Sequence, residues 1–218
     1  MRQRMNDGLM MENLEMRRFL SVSLDDGVLR IVGTSGGDNI EVQKRADDNE
    51  LRVELNRDET EYPLVSVNRI VIRGLAGNDR IEYSWRDGRL DVPGNLGGGD
   101  GNDFIEGGNG NDTISGGRGN DRIQGRSGND SLSGGGGNDI IEGAGGDDVL
   151  RGGDGDDNLS GGRGNDDLFG NGGADDLEGN AGTDDIFGNS GNDDFDDSDS
   201  RSELKDRNSG DNGANSNP

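Results

Sequence analysis

A strict nine-residue period is the feature that most constrains this chain. From Gly98 to Asp196 the sequence divides into eleven consecutive nonapeptides without an insertion. Positions one and four are Gly in every unit, position six is Asp, and position eight is Ile, Leu or Phe. Compositional bias alone does not keep four positions in phase over eleven units. The period therefore predicts a repetitive architecture in which each unit stacks on its neighbours.

Each repeat position has a predicted structural role. The segment before the Asp must turn sharply, and Gly adopts a positive φ there without steric cost. Asn, which is frequent at position five, is expected to tolerate the same conformation. Positions seven to nine predict a short strand, with the position-eight side chain on one face and its neighbours on the other. Stacked strands would then form a thin inner core from Ile105, Ile114, Ile123, Leu132, Ile141, Leu150, Leu159, Leu168, Leu177, Ile186 and Phe195.

The composition indicates that burial of this core needs a further source of stabilisation. Apolar residues make up 26% of the chain, aromatic residues 4%, and 43 residues are Gly, which is close to the composition of disordered proteins. The net charge of −24 argues against nucleic acids and anionic membranes as partners. Because the chain has no Cys and no His, a bound metal would be a hard cation held by oxygen atoms, calcium or magnesium.

The repeat follows the pattern G-G-x-G-x-D-x-U-x, where U is a large apolar residue, and thus resembles the RTX, or haemolysin-type, calcium-binding nonapeptide repeat. The resemblance implies an all-β fold, a right-handed parallel β-roll (β-solenoid) in which two nonapeptides form one coil. It also implies several Ca²⁺ ions, at most about nine, between the stacked turns of successive coils, held by position-six carboxylates and turn carbonyls. The implied carboxylate ligands are Asp103, Asp112, Asp121, Asp130, Asp139, Asp148, Asp157, Asp166, Asp175, Asp184 and Asp193. The implied turn glycines are Gly98, Gly101, Gly107, Gly110, Gly116, Gly119, Gly134, Gly137, Gly152, Gly155, Gly161 and Gly164.

The rest of the chain differs from the repeats in sequence pattern and composition. Residues 1–16 are predicted to be a leader, and 17–97 a β-rich cap with two degenerate copies of the repeat. Residues 98–196 are predicted to form the calcium-binding β-roll, and the polar segment 197–218 a disordered acidic tail. The degenerate copies have their key residues at Gly33, Gly36, Asp38 and Ile40, and at Gly74, Gly77, Asp79 and Ile81.

No motif predicts catalysis, and we do not expect an enzyme. The chain has no HExxH, G-x-S-x-G or P-loop motif. We expect a bacterial calcium-binding protein, secreted or on the cell surface, that folds on binding calcium and has a structural or adhesive role. A cell-surface polysaccharide or another surface protein is an expected partner, and no membrane span is expected. The alternative is a calcium-binding accessory module of a secreted enzyme or toxin whose active domain is absent.

Some features have more than one interpretation from sequence alone. The repeats could be a disordered Gly/Asp tract, which does not explain the phase of position eight, or a metal-free solenoid, which does not explain the Asp in every unit. Tyr62, Tyr83 and Trp85 could stack on a sugar, although burial in the cap is favoured. The segment from Glu12 to Val22 resembles a short export-linked segment of some bacterial surface proteins, which would support an extracellular destination.

Overall fold

The structure is a computed structural model that describes residues 21–44, 49–84, 91–196 and 203–204. The predicted leader, Trp85 and most of the predicted tail lie outside these residues. The described residues form strands and one 3-10 turn, Leu64–Ser66, and contain no α-helix. In the N-terminal part the strands are β1 (Ser21–Asp25), β2 (Val28–Val32), β3 (Asn39–Lys44), β4 (Glu50–Leu55), β5 (Asp58–Pro63), β6 (Arg69–Ala76) and β7 (Arg80–Ser84). In the repeats and beyond they are β8 (Gly94–Asp100), β9 (Phe104–Glu106), β10 (Thr113–Arg118), β11 (Arg122–Ser127), β12 (Ser131–Gly136), β13 (Ile140–Gly145), β14 (Val149–Asp154), β15 (Asn158–Arg163), β16 (Asp167–Gly172), β17 (Asp176–Ala181), β18 (Asp185–Ser190), β19 (Asp194–Asp196) and β20 (Glu203–Leu204).

Two ten-stranded sheets form the two faces of a β-solenoid of about six turns, which confirms the predicted roll of stacked coils. One sheet has the order β1-β2-β6-β8-β10-β12-β14-β16-β18-β20, and the other has the order β19-β17-β15-β13-β11-β9-β7-β3-β4-β5. Consecutive strands of the repeats alternate between the sheets, so each coil contains two nonapeptides. Parallel pairing then places each residue beside the residue 18 positions later, as Leu132 lies beside Leu150.

The nine strands from β10 to β18 are longer than predicted, whereas β9 and β19 have three residues each. Each of the nine spans positions seven to nine of one nonapeptide and positions one to three of the next, six residues in all, as in Ser131–Gly136. Only positions four to six, here Gly137 to Asp139, form the turn between the two sheets. The prediction of a three-residue strand was wrong because Gly at positions one and two was assigned to the turn, although both positions lie in the strand.

The core lies between the two sheets and is one side chain wide, as the period predicts. Every position-eight residue from Ile105 to Ile186 is at most 1% exposed, and Phe195, at the end of the stack, is partly buried. In the N-terminal part the core widens, because β3, β4 and β5 form an antiparallel meander on the second sheet. Tyr83 is fully buried there and its hydroxyl donates to the carbonyl of Val92 over 2.6 Å, which favours the burial interpretation over sugar stacking.

The N-terminal part continues the coils of the repeats. Strand β2 pairs in parallel with β6, and β6 pairs in parallel with β8. On the other face, β3 pairs in parallel with β7, and β7 with β9. The degenerate copies thus supply strands to both sheets, while the antiparallel β1 covers the first edge. The division at 17, 98 and 197 remains our proposal for the domain organisation.

Position two of the repeat has a positive φ in ten of the eleven units, which explains which residues replace Gly there. Asn171, Asn180 and Asn189 have φ values of 74–77°, and Asn is one of the side chains that tolerates this region. Their side-chain amides also donate to the carbonyl two residues earlier. Ala144, with a φ of 79°, has no such compensation and is therefore a strained position.

The variant Ala144→Gly should stabilise the fold. Relief of the left-handed strain outweighs the entropy that Gly adds to the unfolded chain, so we expect the free energy of unfolding to rise by about 1 kcal/mol. Denaturant unfolding in saturating calcium would measure it. Ala181→Gly is the matched control, because Ala181 occupies position three and has no positive φ. That control should destabilise by about 0.5–1 kcal/mol, and equal effects of the two variants would contradict the strain argument.

Candidate metal centre

The turns stack along the two edges of the solenoid, and Gly at position four makes this stacking possible. Gly146 has a φ of 133°, and a Cβ added to it would lie 1.9 Å from the carbonyl oxygen of Gly128 in the preceding coil. The conformation and the close approach both require Gly. Asn at position five was expected to share the positive φ and does not, since no position-five Asn of the described repeats has one. Its side-chain oxygen instead accepts the position-five N–H of the next coil, as from Asn120 to Asn102 over 2.8 Å.

Position-six Asp residues form two continuous ladders, one along each edge. In each step, the backbone N–H of one Asp donates to Oδ1 of the Asp in the next coil, as Asp130 does to Asp148 over 2.8 Å. All eleven predicted Asp ligands belong to these ladders. The first contains Asp38, Asp79, Asp103, Asp121, Asp139, Asp157, Asp175 and Asp193. The second contains Asp112, Asp130, Asp148, Asp166 and Asp184, and begins at the N–H of Gly94.

The second carboxylate oxygen, Oδ2, has no hydrogen-bond partner in nine of these residues, although all nine are at most 3% exposed. A buried acceptor without a partner is costly and calls for an explanation. The nine are Asp79, Asp103, Asp121, Asp130, Asp139, Asp148, Asp157, Asp166 and Asp175.

Gly at position one provides the space that these oxygens face. A Cβ added to Gly143 would lie 2.5 Å from Oδ2 of Asp148 and 2.7 Å from the carbonyl oxygen of Gly161 in the next coil. A carboxylate oxygen and a carbonyl oxygen of neighbouring coils thus face the same point. Parallel pairing matches positions seven, eight, nine, two and three of adjacent coils and passes over position one, as between β12 and β14. Position one is therefore where the ladder of backbone pairs is interrupted.

The comparison with protein families matches this part of the chain. A model of the RTX calcium-binding nonapeptide repeat, four copies long, matches residues 97–132, 133–168 and 160–195. Residues 97–195 are RTX calcium-binding repeats. The match supports calcium binding by this repeat protein. No curated protein matches the chain.

The oxygen atoms of the RTX repeats fit a calcium ion. Calcium takes six to eight oxygen ligands, carboxylates and backbone carbonyls among them. An unpaired carboxylate oxygen lies beside a carbonyl oxygen of the next coil at Asp103, Asp130, Asp148, Asp157 and Asp175. Within the described residues, no three acidic side chains converge on one point, so backbone carbonyls would have to complete the coordination. Calcium would neutralise the negative charge of the stacked carboxylates.

The electrostatics of the ladders also favour a cation. Burial raises the pKa of ten of the ladder carboxyl groups above the ordinary 3.8, and at several of them the neighbouring Asp raises the pKa further. The N–H bond to Oδ1 offsets only part of this effect. The pKa is raised to about 7 at Asp79, Asp121, Asp130, Asp157 and Asp166, and to about 6 at Asp112, Asp139, Asp148 and Asp175. Near neutral pH these groups therefore need a proton or a cation to be stable where they lie.

Asp112 differs from the other predicted ligands of the RTX repeats. Its Oδ2 accepts the N–H of Gly108, at position two of the same unit, over 2.7 Å. Gly108 lacks the positive φ of the other position-two residues. The structure thus brings Asp112 into its ladder but satisfies the oxygen that is unpaired at neighbours such as Asp130 and Asp148. Sequence reasoning gave no sign of this difference, because the unit from Gly107 has every key residue in place.

The sequence-based list of ligands also left out residues that lie in the ladders or face them. Asp38 and Asp79 extend the first ladder, and their signal was present in the two degenerate copies. Position-one glycines that the list omitted, such as Gly125, Gly143 and Gly170, face an Asp Oδ2 as Gly98 does. Within the described residues there is no helix long and apolar enough to span a membrane.

Proposed function

We propose that this protein is a calcium-dependent β-roll that folds when it binds calcium outside the cell, where it is secreted or held at a bacterial surface. The unpaired, buried Oδ2 atoms of the Asp ladders are the observation that supports the proposal. A fold that buries carboxylates in rows needs counter-charges within those rows. Calcium, millimolar outside cells and scarce inside, would make folding conditional on export.

The charge of the repeats explains why folding and binding would be coupled. Residues 98–196 contain 23 acidic and five basic side chains, a net charge of −18. Coiling places the position-six carboxylates of one edge in adjacent turns, in coils whose strands lie about 4.8 Å apart. Ions between adjacent coils, at most about nine in these repeats, would neutralise this charge and join one coil to the next. Binding free energy would then be folding free energy.

A structural or adhesive role fits the surface better than catalysis does. On the outer face of the first sheet, the rings of Phe169 and Phe187 stack with centroids 5.1 Å apart, and the Arg151 guanidinium lies 5.0 Å from the Phe169 centroid. Such a row of aromatic and cationic side chains is a contact surface suited to a cell-surface polysaccharide or another surface protein. We propose no catalytic residue in this protein.

Far-UV circular dichroism during a calcium titration tests the proposal. We expect a cooperative change from coil to β-sheet that chelator reverses and that magnesium does not reproduce, because Mg²⁺ requires a near-ideal octahedral site. A β-sheet spectrum in chelator at neutral pH would show that the roll is stable without metal. A coil spectrum at every calcium concentration would contradict both the fold and the function.

A further inference from the structure

The first Asp ladder continues beyond the matched RTX repeats. The N–H of Asp79 donates to Oδ1 of Asp103 over 2.7 Å, and the N–H of Asp38 donates to Oδ1 of Asp79 over the same distance. Asp79 precedes Asp103 by 24 residues, not 18, and lies outside the match to residues 97–195. The coil that separates them is longer, yet the turns stack in the same way.

Asp79 has the same unsatisfied oxygen as the Asp residues of the repeats. It is 3% exposed, and its Oδ2 has no hydrogen-bond partner. A Cβ added to Gly74 would lie 2.0 Å from that Oδ2 and 2.6 Å from the carbonyl oxygen of Gly98. The corresponding distances at Gly152, in the middle of the repeats, are 2.2 Å to Asp157 and 2.8 Å to Gly170. The donor set at Asp79 therefore matches that of a regular turn.

We infer that Asp79 and the Gly98 carbonyl form an additional calcium site, which joins the N-terminal strands to the first RTX coil. The inference rests on the proposed function, since it assigns the same ligand to the same kind of unpaired oxygen. Its consequence is that β6 and β7 become part of the calcium-dependent fold. The strands before residue 97 would then be ordered with the repeats and not independently of them.

The same geometry excludes a site at Asp38, one coil earlier. There Oδ2 accepts the N–H of Thr34 over 2.5 Å and the Thr34 hydroxyl over 3.0 Å. Thr34 occupies position two, and like Gly108 it lacks a positive φ. Where position two has this conformation, its N–H satisfies the carboxylate that a cation would otherwise bind. The metal sites of this ladder thus begin at Asp79.

Counting bound calcium in matched variants of the full chain tests the inference. Asp79→Asn keeps an oxygen that can accept the N–H of Asp38 and replaces the unpaired oxygen with an amide. We expect one calcium ion fewer than in the wild type, measured by equilibrium dialysis with elemental analysis at saturating calcium. Asp38→Asn is the control, and it should bind as many ions as the wild type.

Each outcome distinguishes the inference from the proposed function. No calcium bound by the wild type would overturn both. An unchanged ion count in Asp79→Asn would overturn the inference and leave calcium binding by the repeats intact, and a lost ion in Asp38→Asn would also contradict it. Should Asp79→Asn fail to fold, Gly74→Ala tests the same point, because its methyl group occupies the space between Oδ2 of Asp79 and the Gly98 carbonyl. It too should bind one ion fewer.

Discussion

In chelator, the chain is expected to be unfolded at pH 7.5 and to gain β-sheet as the pH is lowered to about 5. The reason is that nine of the ladder carboxyls have pKa values of about 6 to 7 in the folded state, against 3.8 for the ordinary group. Between these values the folded chain binds more protons than the unfolded chain. Protonation then replaces the cation as the means of neutralising the buried carboxylates.

The direction of the effect follows from the raised pKa values. The stabilisation by protonation is complete below the unfolded pKa of 3.8 and is lost as the pH rises through about 6 to 7. Far-UV circular dichroism in chelator across this range should therefore show a transition with a midpoint near pH 6. In calcium the dependence should reverse, because protons compete with the metal for the carboxylates. A chelated chain whose spectrum does not change between pH 5 and 8 would contradict the argument.

Variants of two neighbouring acidic residues, one buried and one exposed, show whether the effect comes from buried charge or from net charge. Asp148 is 1% exposed and belongs to a ladder, whereas Asp147 is exposed and occupies position five, where Asn is common. Asp148→Asn removes one carboxyl group whose pKa is raised. In chelator at pH 7 this variant should therefore be more stable than the wild type, and it should bind calcium more weakly. Asp147→Asn removes the same charge and should change both properties much less. Equal effects would mean that net charge, and not the ladder, controls folding.

The nine-residue repeat and the role of its key positions could be predicted from the sequence, because each key position meets one local structural requirement. Position eight must be apolar to fill the space between two sheets, and position four must be Gly to allow the stacked turn. These demands recur every nine residues and are visible without a structure. The same reasoning placed all eleven Asp residues in the turns, on both edges of one solenoid.

The remaining features depend on contacts between coils, which a nine-residue pattern does not contain. The strand extends to position three because parallel pairing with the next coil continues past the Gly at position one. Asp79 was not included among the ligands because its coil is longer, which hides its alignment with Asp103. The difference between Asp112 and its neighbours depends on the conformation of Gly108, and no change of residue type marks it.

The variant Gly137→Ala is expected to destabilise the calcium-bound roll severely. Gly137 has a φ of 123°, and a Cβ on it would lie 2.3 Å from the carbonyl oxygen of Gly119. Backbone strain of about 1–2 kcal/mol adds to the cost of overpacking, about 1–3 kcal/mol, so the free energy of unfolding should fall by about 2–5 kcal/mol. Denaturant unfolding in saturating calcium would measure this change.

Gly136→Ala provides a control one residue away. A Cβ at Gly136 would meet no atom within 4 Å, and its φ is not positive. Replacing Gly with Ala at such a position restricts the unfolded chain, so we expect no loss and a gain of up to about 1 kcal/mol. The two variants add the same methyl group to adjacent residues, and only their relation to the preceding coil differs. If Gly137→Ala proved as stable as Gly136→Ala, the turns would not be stacked as closely as the Gly119 contact indicates, and the alignment of Asp ladders that depends on this stacking would be wrong as well.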